Sequence, residues 1–128
     1  MLNTVILSGR LTRAPELRQT QAGTPVASFT LAVERDFKDS SGDRQTDFID
    51  IVAWRQTGEF VSKYFDKGQM ATVSGRLQVR SWKDDSGNSR RSTEVIAEHV
   101  YFAGSKPKSD PYVEPSLEEV LDDGELPF

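Results

Sequence analysis

Residues 46–69 read Thr46-Asp47-Phe48-Ile49-Asp50-Ile51-Val52-Ala53-Trp54-Arg55-Gln56-Thr57-Gly58-Glu59-Phe60-Val61-Ser62-Lys63-Tyr64-Phe65-Asp66-Lys67-Gly68-Gln69. The hydrophobic period changes inside this stretch. From Thr46 to Trp54, Ile49, Ile51 and Ala53 share one parity while Phe48, Asp50, Val52 and Trp54 share the other, the period-2 pattern of a strand. From Gln56 to Lys67, Phe60, Val61, Tyr64 and Phe65 make one apolar stripe at helical spacing. Lys67 suits a last helical turn, and Gly68 stands where a left-handed cap is expected. A strand therefore runs into a helix here, and the helix is the only one the first 104 residues predict.

Working outward, the flanks read as further strands. Asn3–Arg13 is the first, with Val5, Leu7 and Leu11 in one parity and a bend or bulge at Gly9. Ala14-Pro15 breaks it, and Ala22-Gly23-Thr24-Pro25 is a turn. Val26–Arg35 is the second, with Ala27, Phe29, Leu31 and Val33 on one face. Asp39–Asp43 is a polar hairpin tip leading to the third strand at Thr46. Beyond the helix, Gln69–Trp82 is the fourth strand, with Val73, Leu77 and Val79 in the core parity. Asp84–Asn88 is a second tip, and Thr93–Phe102 is the fifth strand, its imperfect alternation predicting a bulge. Gly58, Gly75 and the remaining glycines of the body read as turns, bends or bulges. Three strands, a helix and two strands is the layout of an all-β OB-fold barrel, with the helix between strands 3 and 4.

Charge divides the chain of 128 residues in two. Its formal net charge is −4, yet residues 105–128 hold two cations and seven anions, and residues 1–104 hold fourteen and thirteen. The expectation is one domain at 1–104 followed by a flexible acidic tail at 105–128 that begins with the proline-rich Lys106–Pro111. A near-neutral body makes any nucleic-acid binding depend on where cations and rings sit. With no cysteine there is no disulfide framework and no thiolate site. No signal peptide or membrane-length apolar run is read, so the expected location is the cytoplasm, with no membrane partner.

If Ile49, Ile51 and Ala53 face the core, Phe48 and Trp54 project together from the opposite face. On the fourth strand Thr72, Ser74, Arg76, Gln78, Arg80 and Trp82 take the outward side. Phe37 ends the second strand beside Arg35 and Lys38. Unpaired bases expose π-faces, so outward rings interleaved with arginines suit a single strand read without regard to sequence. Read from spacing alone, the same aromatics also fit a core or an interface. His99 is the sole histidine and reads as a partly buried strand residue. No catalytic constellation, metal-ligand set, cofactor or phosphate-binding loop is found, so no enzyme is expected.

The chain resembles the bacterial single-stranded DNA-binding protein family over residues 1–104 and at its end. Asn3–Leu11, Pro15–Arg18, Phe29–Val33, Tyr64–Gly68, Gly75–Trp82 and Thr93–Val95 carry the likeness, in order and at the family's spacing. The resemblance implies stacking of DNA bases on Phe37, Phe48, Trp54 and Trp82. Candidate phosphate contacts are Arg10, Arg35, Lys38, Arg55, Lys67, Arg76, Arg80 and Arg90. Asp50 stands on the ring face where some relatives carry a basic residue. The resemblance further implies a homotetramer, with strand 1 in subunit contacts, in the bacterial cytoplasm and nucleoid.

The final stretch 121–128, with Asp122, Asp123, Glu125, Leu126, Pro127 and Phe128, is an acidic segment with a hydrophobic plug. Such an end suits capture of a carboxylate and a ring by a partner. The family likeness makes it a docking tip for DNA replication, recombination and repair proteins. Gly124 interrupts its acids, and the linker is short. The residues alone leave open an OB-fold RNA binder and a sugar- or protein-binding OB domain.

Overall fold

A computed structural model gives the structure, which describes residues 1–104. The tail at 105–128 and its tip lie outside the described residues. Six strands and one helix follow in the order β1 (Val5–Leu11), β2 (Glu16–Gln19), β3 (Pro25–Lys38), β4 (Arg44–Trp54), α1 (Arg55–Tyr64), β5 (Met70–Lys83) and β6 (Ser89–Phe102). Hydrogen bonding runs β1-β5-β6-β4-β3-β2, and β1 also pairs with β3. That last pairing, Arg10 to Ala32 and Leu11 to Leu31, closes β1, β5, β6, β4 and β3 into a five-stranded barrel. This is the expected OB-fold, with the helix between the strand at Trp54 and the strand at Met70. Among the described residues no helix is long and apolar enough to cross a membrane.

The core draws on residues that the alternation marked in the first four predicted strands, joined by Val95 and Val100 of the last. Leu11, Phe29, Leu31, Ile51, Ala53, Val73, Val95 and Val100 are buried, and the helical stripe caps them through Val61 and Phe65. Phe65 stacks on Phe102 with ring centroids 4.5 Å apart.

Two glycines allow the close approaches. A Cβ on Gly9 would run into the Ala32 carbonyl, at the point where the barrel closes. A Cβ on Gly75 would run into the Ile96 carbonyl, opposite the irregularity where Ser74 faces His99 but Gly75 faces Ala97. Glu98 is thus the extra residue of the bulge anticipated in the last strand.

Three expectations are corrected. Glu16–Gln19 forms a short strand on β3 that its four exposed residues did not announce. The helix ends at Tyr64, its last-turn cation is Lys63, and Gly68 (φ +86°) closes the following turn by donating to the Leu11 carbonyl. Leu77 and Val79 keep the core parity but are exposed, because β5 continues past Gly75 beyond the barrel.

Strands of 14 residues reach roughly 45 Å, far more than a small barrel needs. The outer halves of the β3–β4 and β5–β6 hairpins therefore project from it. Both hairpins end in the same five-residue turn. Asp39 Oδ1 accepts from the backbone N–H groups of Ser41 and Asp43, and Asp84 Oδ1 accepts from those of Ser86 and Asn88.

Candidate nucleic-acid interface

The two projecting hairpins flank a sheet face built from β4, β6 and β5. On β4 the outward residues are Phe48, Asp50, Val52 and Trp54, as the alternation predicted. β6 runs parallel to β4, pairing Ile51 with Val95 and Val52 with Ile96. β5 then pairs antiparallel with β6, setting Arg76 against Ile96, Gln78 against Glu94, Arg80 against Ser92 and Trp82 against Arg90. Side chains directly opposite on paired strands share a face. One surface therefore carries Phe48 and Trp54 at one side and Arg76, Arg80, Arg90 and Trp82 at the other.

The rings are outside the core. Phe48 is 67% exposed, Trp54 42% and Trp82 41%, whereas Phe29 on β3 is 1% exposed. Phe37 is 84% exposed near the end of β3. Between Glu34 and Lys38 the β3–β4 register shifts, so simple alternation does not carry Phe37 onto the Phe48 face.

Trp82 lies in an open cleft of about 480 Å³ with Ser81, Lys83, Ser89, Arg90 and Arg91. Lys83 and Arg91 were not singled out in the sequence. The hairpin symmetry about Asp84–Asn88 was the signal that could have found them, since it pairs Ser81 with Arg91 and Lys83 with Ser89. Trp54 opens on a second cleft of about 600 Å³, lined by Pro25, Arg55, Gln56, Thr57 and Glu59. Arg55 sits there with φ +57°, a left-handed conformation that costs a non-glycine residue about 1–2 kcal/mol.

The candidate cations divide by what already holds them. Arg35 donates from Nε and Nη2 to the two Asp47 carboxylate oxygens, at 3.0 and 2.9 Å. That hydrogen bond raises the Arg35 pKa and lowers that of Asp47. Asp47 alternates with Phe48, so this pair belongs to the other face. Arg90 donates to Asp84 at 2.9 Å, and Arg80 lies 3.5 Å from Glu94. Asp84 is held below its ordinary value, chiefly by the Asn88 backbone N–H and further by Arg90 and Ser86. Arg76 donates to Gln78 at 2.8 Å, and Lys38 pairs with Arg44 in register at the base of the first tip. Arg10 donates to the Gly68 carbonyl at 2.9 Å, which groups it with Lys67 at the helix-to-β5 turn.

Asp50 is exposed between Phe48 and Trp54 and accepts a 3.2 Å hydrogen bond from Thr30 Oγ1, with no cation paired to it among the described residues. His99 is exposed rather than partly buried, and its ring stacks near Tyr101 at 6.0 Å.

A face of this kind offers flat apolar surfaces, interleaved guanidinium groups and open clefts. Its chemistry is stacking and charge pairing. Comparison with known proteins supplies the family. The model of the single-strand binding protein family matches residues 2–103. The single-stranded DNA-binding protein 1 of Staphylococcus aureus strain Mu50 is 50% identical over 110 residues, covering 86% of this chain and 70% of the relative. The single-stranded DNA-binding protein of Caldanaerobacter subterraneus is 41% identical over 131 aligned positions, covering 96% and 87%. Single-stranded DNA-binding protein 2 of Listeria monocytogenes is 49% identical over 106 residues, covering 83% of this chain and 66% of its own length. A barrel with two overrunning hairpins, rings on its outer face and a match through nearly all of its described length leads to one assignment: the chain belongs to the single-strand binding protein family.

Proposed function

We propose that this chain binds single-stranded DNA without reading its sequence, by stacking unpaired bases on Phe37, Phe48, Trp54 and Trp82. The observation that carries this reading is the exposure of large rings on and beside one sheet face, next to arginines. Water-exposed rings gain little where they are, and a base laid on each is worth roughly 1–3 kcal/mol. Lys38, Arg55 and Arg76 flank the rings as phosphate contacts, joined by the Nη groups of Arg90, whose Nε alone is held by Asp84, with Arg10 and Lys67 continuing the track at the helix-to-β5 turn. Arg35 contributes least, because Asp47 holds the Nε–Nη2 edge of its guanidinium in a bidentate pair that also matches its charge.

The same reading assigns residues 1–104 to DNA and residues 105–128 to partners. The tip at Asp122, Asp123, Glu125, Leu126, Pro127 and Phe128 recruits replication, recombination and repair proteins in the bacterial cytoplasm and nucleoid. The body assembles as a homotetramer. Its exposed apolar side chains at Ile6 on β1 and at Leu77 and Val79 on β5 support subunit contacts, since each gains by leaving water.

Fluorescence titration of the full chain with oligo-dT of several lengths, at two salt concentrations, tests the DNA role. Quenching of Trp54 and Trp82 that weakens with salt is the expected result. No quenching at either salt removes the proposal. Competition with oligo-U separates DNA from RNA binding. Deleting Pro127 and Phe128 should leave that titration unchanged and abolish capture of repair enzymes; equal capture after deletion takes the docking role from the tip.

A further inference from the structure

Only two polar or charged side chains are counted as buried among the described residues, Gln69 and Glu94. Glu94 stands on β6 opposite Gln78, at the centre of the ring-bearing face. A carboxylate removed from water is costly unless a cation meets it. Arg80, diagonally across on β5, supplies that cation with Nε 3.5 Å from Glu94 Oε1. The Glu94 side chain is 11% exposed and that of Arg80 54%, so the arginine links a carboxylate covered by its neighbours on this face to open solvent. Its guanidinium carbon lies over the Trp82 ring, 4.6 Å from the centroid. Buried carboxylate, guanidinium and indole thus form one chain of contacts running outward.

We propose that Arg80 serves the DNA strand as part of a stacking platform with Trp82 rather than as a phosphate contact, and that Glu94 is the positioning residue that holds it there. This rests on the single-stranded DNA reading above. A guanidinium is planar, delocalised and weakly hydrated, so it can carry a base on its free face while lying on a ring. With its charge matched by Glu94, it displaces few counterions from the strand. Arg80 then adds affinity without adding salt dependence. Released from Glu94, the same side chain is an ordinary mobile cation. It would then pair with a phosphate and steepen the slope of log K against log salt by about 0.7. Trp82 meanwhile has one face covered, so a base stacks on its other face or on the guanidinium itself.

The test is a titration of the full chain with labelled oligo-dT, followed by anisotropy across a salt series. Arg80→Met, which keeps the stem but loses the plane and charge, should weaken binding about two- to fivefold with an unchanged salt slope. Arg80→Lys should weaken it similarly, because charge alone does not restore the platform. Glu94→Gln should steepen the slope by about 0.7. The proposal is overturned if Arg80→Met flattens the slope by that amount while Arg80→Lys restores binding, the signature of a phosphate contact. An unchanged slope in a folded Glu94→Gln variant removes the positioning role. The two Arg80 variants sit on the surface and decide the first point even if Glu94→Gln fails to fold. Failure of the wild-type chain to bind oligo-dT at all would remove the DNA reading with it, and is distinguishable from both.

Discussion

Replacing Phe48 by alanine separates binding from stability more cleanly than replacing either tryptophan, since Phe48 is the most exposed ring on the β4–β6–β5 face. Phe48 is 67% exposed, so only about a third of a side-chain surface of roughly 200 Å² is covered in the free protein. At about 25 cal/mol per Å² that contact is worth at most ~1.6 kcal/mol to folding, since extended-chain bookkeeping overstates burial. Stacking of one base is worth roughly 1–3 kcal/mol, about five- to 150-fold in affinity. Phe48→Ala should therefore remain folded, with a small fall in the urea midpoint, and lose most of that factor in binding oligo-dT. Trp54 and Trp82 remain as fluorescent reporters. Phe48→Leu restores apolar bulk without the π-face and should recover stability while leaving binding impaired. Phe29→Ala on the neighbouring strand gives the opposite signature, since Phe29 is 1% exposed and its loss costs about 3–5 kcal/mol of folding. Unchanged DNA affinity in Phe48→Ala would refute the stacking role of this face.

Three further outcomes are expected. Asp50→Asn removes an unpaired carboxylate from a surface meant for a polyanion, so binding should tighten at low salt and the gain should fade at high salt; equal affinity at low salt would mean the strand does not pass Asp50. Gly75→Ala forces a Cβ onto the Ile96 backbone carbonyl and should destabilise the barrel by about 1–3 kcal/mol in urea unfolding; an unchanged midpoint would show that the β6 bulge yields. Asp84 is held below its ordinary 3.8 by the Asn88 N–H, with Arg90 assisting, so its contribution is present above that value and lost as pH falls through its lower folded one. Amide shifts of Ser86 and Asn88 should titrate with a midpoint below 3.8, and a midpoint at or above it would count against the turn bonds.

Much of this molecule was legible in the chain itself. Period-2 alternation around Ile49, Ile51 and Ala53 is a local consequence of strand geometry, and it placed Phe48 and Trp54 outside before any partner strand was known. The helical stripe at Phe60, Val61, Tyr64 and Phe65 worked for the same reason. The asymmetry of charge between residues 1–104 and 105–128 needs only counting.

What the sequence could not decide depends on where strands end relative to one another. Leu77 and Val79 carry the core parity, but parity says nothing of whether a facing layer exists, and β5 has left the barrel by then. The exposed residues Glu16–Gln19 became a strand only because β3 offers them an edge. Gly68 lies four residues past the last residue of the helix and serves the β1 end, a long-range contact that no local cap signal encodes. The pairing of Arg35 with Asp47, of Arg90 with Asp84 and of Arg80 with Glu94 likewise required register. Sequence fixes which face a side chain takes, because that is set by its own backbone. Only the closed sheet decides what stands opposite, and so which arginines are free for a phosphate and which are already held.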